Sequence, residues 1–189
     1  MKRTWILTSF GDIRGYRVWC RNPSNTVEIR RPIMQKFLKE IAAFGKLHKC
    51  QTKYLGDGFI FIFELKSLKK KEKCFHKVLL ALKELTKSML KIIQSCSWPT
   101  PDGFRMRITG GWVDVYSVGN VPEYIGEAPN LARDLLYVAP DVEILIHSSV
   151  VKRLNQDQVK TLKITKFNGK KNNRRIEDEK LKELWEMPI

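Results

Sequence analysis

Two strand-like runs, 47–55 and 59–65, are separated only by Gly56-Asp57-Gly58, and no other feature of the 189 residues limits the fold so strongly. Glycines on both sides of one aspartate can take the positive φ angles of a tight turn, so the runs are predicted to pair as an antiparallel hairpin with Asp57 at its tip. A lone hairpin is not stable in water and needs a wider sheet and a covering layer. The flanking sequence offers both. Residues 4–10 read as a first strand entering the loop Gly11-Asp12-Ile13-Arg14-Gly15. Ile33, Phe37, Ile41 and Phe44 recur at helical spacing over 31–44, with Pro32 in the first turn and Gly45 closing the helix. A long amphipathic helix is predicted over 70–96, with Phe75, Val78, Leu79, Leu82, Leu85, Met89 and Ile93 on one stripe and lysines over much of the rest. Beyond a turn at 99–103 come a strand over 104–115 interrupted by Gly110-Gly111, a loop over 119–126 and a short helix at 130–136. A buried strand at 143–147, a helix at 148–154, a strand near 159–167, a polar loop and a closing strand at 184–187 complete the chain. This order predicts an α+β, ferredoxin-like domain spanning 1–189, an antiparallel sheet with helices packed on one face. RNA-binding modules, polymerase palms and nucleotide cyclases share that topology, so it does not select a function.

Composition narrows the field. The longest apolar stretches, 59–63 and 144–146, fall well short of the roughly 20 residues needed to span a bilayer. No secretory signal pattern opens the sequence, so a cytoplasmic protein without stable membrane insertion is expected. The four cysteines include no CxxC pair, and neither His48 near Cys50 nor His76 near Cys74 makes a zinc-ligand spacing, so reduced thiols are expected. A net charge of +15 favours an anionic partner: nucleic acid, a membrane surface or a polyphosphate. The basic runs at 69–73 and 170–175 read as solvated surface.

Asp12 and Asp57 are the candidate chemistry. Both follow strands that a ferredoxin-like sheet places side by side, so the two carboxylates can face one cavity. Repulsion between them is relieved by divalent cations, which also serve phosphoryl transfer. Aspartate beside glycine is equally a common turn residue.

The wider pattern carries a resemblance. Phe10-Gly11-Asp12-Ile13-Arg14-Gly15-Tyr16 resembles the first metal-binding loop, F-x-D-I-x-G-F, of class III adenylate and guanylate cyclases. Lys53-Tyr54-Leu55-Gly56-Asp57-Gly58-Phe59 resembles the K-x-x-G-D hairpin of that family. Arg107-Ile108-Thr109-Gly110-Gly111 stands where the family has R-I-G-I-H-T-G. The segment from Tyr124 through Asn130 to Arg133 resembles G-x-x-V-N-x-A-x-R. The four motifs occur in family order over nearly the whole chain.

The resemblance implies a cyclase homology domain that acts as a homodimer on a nucleoside triphosphate, with active sites at the interface, and no nucleic-acid partner. It assigns two Mg²⁺ or Mn²⁺ ions per site to Asp12, Asp57 and the backbone carbonyl of Ile13. Lys53 and Glu123 would read the base, Asn130 would orient the ribose, and Arg133 would stabilise the transition state. Family spacing puts that arginine one position later, where this chain has Asp134, and Arg107 is the alternative donor. Lys166 or Lys170 would hold the terminal phosphates.

Lys53 with Glu123 matches neither the usual adenine readers, lysine with aspartate or threonine, nor the guanine readers, glutamate with cysteine. Tyr54 would either narrow the base pocket toward a pyrimidine or simply pack in its strand. A lysine donor and a glutamate acceptor suit uracil better than cytosine. The standalone size and the Lys-Tyr-x-Gly-Asp hairpin most resemble the pyrimidine cyclases of bacterial Pycsar antiphage defence, which implies cyclic UMP or cyclic CMP as a second messenger, UTP being favoured over CTP. The alternatives are an adenylate cyclase making cyclic AMP and a noncatalytic RNA-binding module, although the strands lack an aromatic RNP-like pattern.

Overall fold

Strand β1 (Lys2–Arg14) is longer than the sequence suggests, because the glycine at its centre serves packing rather than a turn. A side chain at Gly11 would meet the Phe59 ring at 2.3 Å, so the strand continues straight through the expected loop. Asp12 therefore stands within a paired strand, opposite Gly58 on one side and Arg105 on the other. The computed structural model describes residues 2–64, 68–95, 100–139, 141–168 and 183–189, with the backbone alone for 68–74.

The remaining elements follow in chain order. After β1 come α1 (Tyr16–Arg21), α2 (Val27–His48), β2 (Gln51–Leu55), β3 (Gly58–Glu64) and α3 (Leu68–Gln94). Then come β4 (Gly103–Val118), β5 (Val121–Ile125) and α4 (Glu127–Asp134), which runs into a 3-10 turn at Leu135–Tyr137. The chain continues through β6 (Ile144–His147), α5 (Ser148–Val151), α6 (Gln156–Leu162), β7 (Thr165–Lys166) and β8 (Leu184–Glu186). Among the described residues the strands form one sheet in the order β2-β3-β1-β4-β6-β8-β7, with β5 paired to β4. Only the β4–β6 pair is parallel, as a crossover through α4 requires.

Period-two alternation sorts the core. Trp5, Leu7 and Ile13 of β1 join Phe59, Phe61 and Phe63 of β3 against Phe37, Ile41 and Phe44 of α2 and the apolar stripe of α3. Ile6 and Phe10 point the other way, joining Ile60, Ile62 and Val113 under Ala132 and Leu136 at α4. The expected α+β fold is present. The two long helices share one face, and the short α4 covers part of the opposite one.

Several local expectations change, among them Gly45, which lies inside α2 rather than closing it, and residues 47–48, which are helical. Residues 119–126 are not a loop. Gly119, at φ 61°, turns the chain between Val118 and Val121, and β5 follows. Residues 159–162 are helical rather than extended, because the Asn155 and Gln158 side chains form a reciprocal capping box that starts α6. Helix α2 begins at Val27, so Pro32 lies inside it rather than in its first turn. Gly110 does not interrupt β4: a side chain there would meet the Trp5 ring at 2.1 Å, so the glycine makes room for that indole. The expected closing strand is present as β8.

Cys20 and Cys50 are free thiols. Burial pushes the Cys50 thiol up to about 11. Among the described residues no helix is long and apolar enough to cross a membrane. The basic run at 170–175, including Lys170, lies outside the described residues.

Candidate active site

The hairpin closes on a two-residue turn, with Leu55 paired to Gly58 and Gly56 at φ 72°, the glycine that such a turn needs at its first central position. Gly58 has a different reason to lack a side chain. A Cβ there would lie 2.9 Å from the Gly11 carbonyl and 3.6 Å from Asp12 Oδ1, so the hairpin end is pressed against the Asp12 end of β1. This brings Asp57 beside Asp12. Burial raises the Asp57 carboxyl above the ordinary aspartate range, and the negative charge of Asp12 raises it further.

Arg105 supplies a counter-charge. Its Nε and Nη2 donate to Asp12 Oδ2 at 2.9 and 2.6 Å, and its Nη1 donates to the Leu136 carbonyl at 2.7 Å. The Ile13 side chain is buried in the core beneath α2, so its backbone carbonyl is what it can offer a cation. Two carboxylates, that of Asp57 destabilised by burial and by its neighbour, and a carbonyl are hard oxygen donors, and they fit Mg²⁺ or Mn²⁺. Among the described residues no cluster of three or more histidine, cysteine or acidic side chains could hold a metal. Phosphate oxygens and water would thus complete the coordination, as is usual for Mg²⁺.

Lys53 and Glu123 meet. Lys53 on β2 pairs with Ile60 and therefore shares the sheet face of Asp12, and its Nζ forms an ion pair with Glu123 Oε2 on β5. Neighbouring bonds draw the same strands together: Gln51 Nε2 donates to the Pro122 carbonyl at 2.8 Å, and the Tyr124 hydroxyl donates to Glu64 Oε1 at 2.8 Å. Tyr54 is a correction. Strand alternation turns it away from Lys53, onto the α2 side, where it lines a small apolar pocket with Met34, Phe37 and Leu38. Its bulk is not beside Lys53 within this chain.

Three alternate residues of β4 hold α4 and the turn after it. Thr109 Oγ1 donates to the Ala128 carbonyl at 2.6 Å. Arg107 donates to the carbonyls of Leu135, Ala139 and Val142 at 2.9, 2.9 and 2.8 Å, and Arg105 reaches Leu136. Arg107 is fully buried, and its guanidinium is engaged by main-chain carbonyls, so it is no free donor for a phosphate. Sequence reasoning missed Arg105 and misjudged Arg107. The available signal was the alternation Arg105-x-Arg107-x-Thr109 in a central strand, since polar side chains there must find partners inside the protein.

Asn130 and Arg133 lie one helical turn apart on α4 and are both exposed. Asn130 Nδ2 donates to the Gly126 carbonyl at 3.3 Å, and the Arg133 guanidinium donates to Asp134 Oδ1 at 3.2 and 3.3 Å. Asp134 thus pairs with Arg133 instead of replacing it. Among the described residues no hydrogen bond or ion pair joins Asn130 or Arg133 to Asp12 or Asp57. Lys166 is exposed on β7, four strand spacings and therefore about 19 Å from β1.

No protein-family model matches the sequence, and no curated protein matches it either. Solved structures do resemble it. The adenylyl cyclase CyaB from P. aeruginosa superposes with a TM-score of 0.68 at 18% identity, over 100% of this chain and 95% of that one. The guanylyl cyclase Cya2 superposes with a TM-score of 0.58 at 18% identity, over 98% and 92%. The guanylate cyclase domain of RhGC from Catenaria anguillulae, solved in complex with GTP, gives 0.60 at 13% identity, over 92% and 93%. The described residues have the fold of the class III cyclase homology domain.

Proposed function

We propose that this protein is a nucleotidyl cyclase that converts a pyrimidine nucleoside triphosphate, UTP before CTP, to the cyclic 3′,5′-monophosphate and pyrophosphate. The observation that carries the reading is that Asp57, at the tip of the hairpin that abuts the Asp12 end of β1, is held above the ordinary aspartate range by burial and by the charge of Asp12, while Lys53 and Glu123 pair on the sheet face of Asp12. The reaction forms a bond from the ribose 3′-oxygen to the α-phosphorus and breaks the bond from that phosphorus to the α–β bridging oxygen. The 3′-hydroxyl proton is lost and pyrophosphate leaves. Divalent cations held by Asp12, Asp57 and the Ile13 carbonyl would supply Lewis acidity at the 3′-oxygen and neutralise the triphosphate.

The chain's own groups do the rest. Lys53 Nζ donates to a base carbonyl while the Glu123 carboxylate accepts the ring N–H, a donor–acceptor pair complementary to the uracil edge. Side-chain bonds draw β5 onto β2 and β3, and a base edge admitted between strands tied so closely would be a single ring rather than a purine. Asn130 orients the ribose, and the Arg133 guanidinium, released from Asp134, balances charge developing on the α-phosphate. Lys166 would neutralise the terminal phosphates. Its distance from β1, and the separation of Asn130 and Arg133 from the acidic pair, are met if the groups come from different subunits. Large apolar side chains exposed on the β4–β5 arm, including Val118 at 66% and Ile125 at 61%, support a homodimer with two interfacial sites.

The test is incubation with Mn²⁺ and each of ATP, GTP, CTP and UTP, with products identified by mass spectrometry. Cyclic UMP as the main product is expected. Cyclic AMP would retain the chemistry and overturn the base assignment, and no cyclic product from any of the four would overturn both.

A further inference from the structure

We infer that Gln51 and Tyr124 are positioning residues for base selection, clamping β5 on both sides of Glu123 and so setting how wide a base the Lys53–Glu123 pair admits. The inference rests on the cyclase reading above. Backbone pairing does not hold β5 against β2 or β3: its ladder is with residues 114–118 of β4. What draws it across is a set of side-chain bonds at three successive residues. Gln51 holds the Pro122 carbonyl, Lys53 meets the Glu123 carboxylate, and Glu64 accepts the Tyr124 hydroxyl. The middle contact must open to admit a base edge. The outer two need not, and they therefore fix the strand while Glu123 changes partner.

The chemistry of Gln51 supports this role. The Pro122 carbonyl can only accept, so the amide nitrogen must face it, and the orientation of the side chain is set by that bond. Its amide oxygen is buried without a hydrogen-bond partner among the described residues, so the clamp is the polar contact that holds the side chain. On the other side, Glu64 accepts the Tyr124 hydroxyl at Oε1, and its other oxygen faces the Lys2 ammonium at 3.7 Å.

The experiment uses the full chain and two near-isosteric variants that each remove one donor, Gln51→Met and Tyr124→Phe, with thermal melting to confirm folding. Hydrogen exchange of the β5 amides that are bonded to β4, without nucleotide, is expected to speed up about tenfold, the loss of one hydrogen bond. From equimolar UTP and ATP with Mn²⁺, the ratio of cyclic UMP to cyclic AMP is expected to fall about tenfold for the same reason. Unchanged exchange overturns the clamp, and faster exchange with an unchanged product ratio overturns its role in selection. If the unmodified protein yields no cyclic product, the cyclase reading fails, and the affinity ratio of UTP to ATP, measured by calorimetry in Ca²⁺, takes the place of the product ratio. An affinity ratio that is the same in the variants, or no binding at all, overturns the inference.

Discussion

Replacing Arg107 with methionine isolates what one buried guanidinium contributes to the domain. Methionine keeps an unbranched apolar stem, ends short of the guanidinium carbon and removes every donor. Arg107 is fully buried, and three main-chain carbonyls at 2.8–2.9 Å, those of Leu135, Ala139 and Val142, would lose a charged donor in a region closed to water. Each buried acceptor left unsatisfied costs about 1–3 kcal/mol. Part of that is returned, because burying the guanidinium is itself unfavourable, as the downward pull of desolvation on its pKa indicates. The expected net loss is about 3–5 kcal/mol, a large share of the roughly 5–15 kcal/mol that holds a domain together. Urea unfolding followed by circular dichroism measures it. Arg107→Lys should recover less than half of the loss, since one ammonium cannot reach carbonyls spread from 135 to 142. A methionine variant within about 1 kcal/mol of the parent would refute the reasoning, because those carbonyls would then have found other partners.

Asp57→Asn should abolish turnover yet stabilise the protein in EDTA. The folded pKa of Asp57 is raised, so its contribution is fully present below the unfolded value of 3.8 and is lost as pH rises through the folded value. The advantage of the asparagine variant should therefore be larger at pH 7 than at pH 3, and an advantage that does not grow with pH would contradict the burial of the Asp57 carboxyl beside Asp12. Mixing inactive Asp12→Ala and Asn130→Ala proteins should restore part of the activity if sites are shared between subunits, and no recovery after subunit exchange would count against the dimeric arrangement. Gly110→Ala should lower stability by about 1–3 kcal/mol through overpacking, since Trp5 is buried edge-on against Phe75. A thermal melt with no shift would show that the indole can move aside.

The order of elements and the hairpin tipped by Asp57 were legible in the sequence because they rest on local signals: period-two and helical patterns, and a glycine-aspartate turn whose geometry leaves little choice. The same local reasoning failed where a glycine answers a distant neighbour. Gly11 and Gly110 look like breaks in their strands, yet each accommodates an aromatic ring, Phe59 and Trp5, brought alongside only by the finished fold. It failed again at 159–162, where the β-branched residues suggest a strand but the cap formed by Asn155 and Gln158 decides for helix. Tyr54 shows the limit for function. Adjacency to Lys53 in sequence suggests adjacency in space, whereas a strand sends consecutive side chains to opposite faces, so the residue beside a base reader belongs to the other layer.

With Tyr54 on the other face, the proposed selectivity for a pyrimidine rests on the spacing of two strands rather than on one bulky side chain. A lysine and a glutamate can each find a partner on more than one base edge, so their identities alone leave the base open. What distinguishes a pyrimidine slot from a purine slot is how far β5 can stand from β2 when their ion pair opens. In the proposed clamp, Gln51 on one side and Tyr124 with Glu64 on the other would hold that distance. A sequence motif reports the reader, and the separation of its two halves is a property of the assembled sheet.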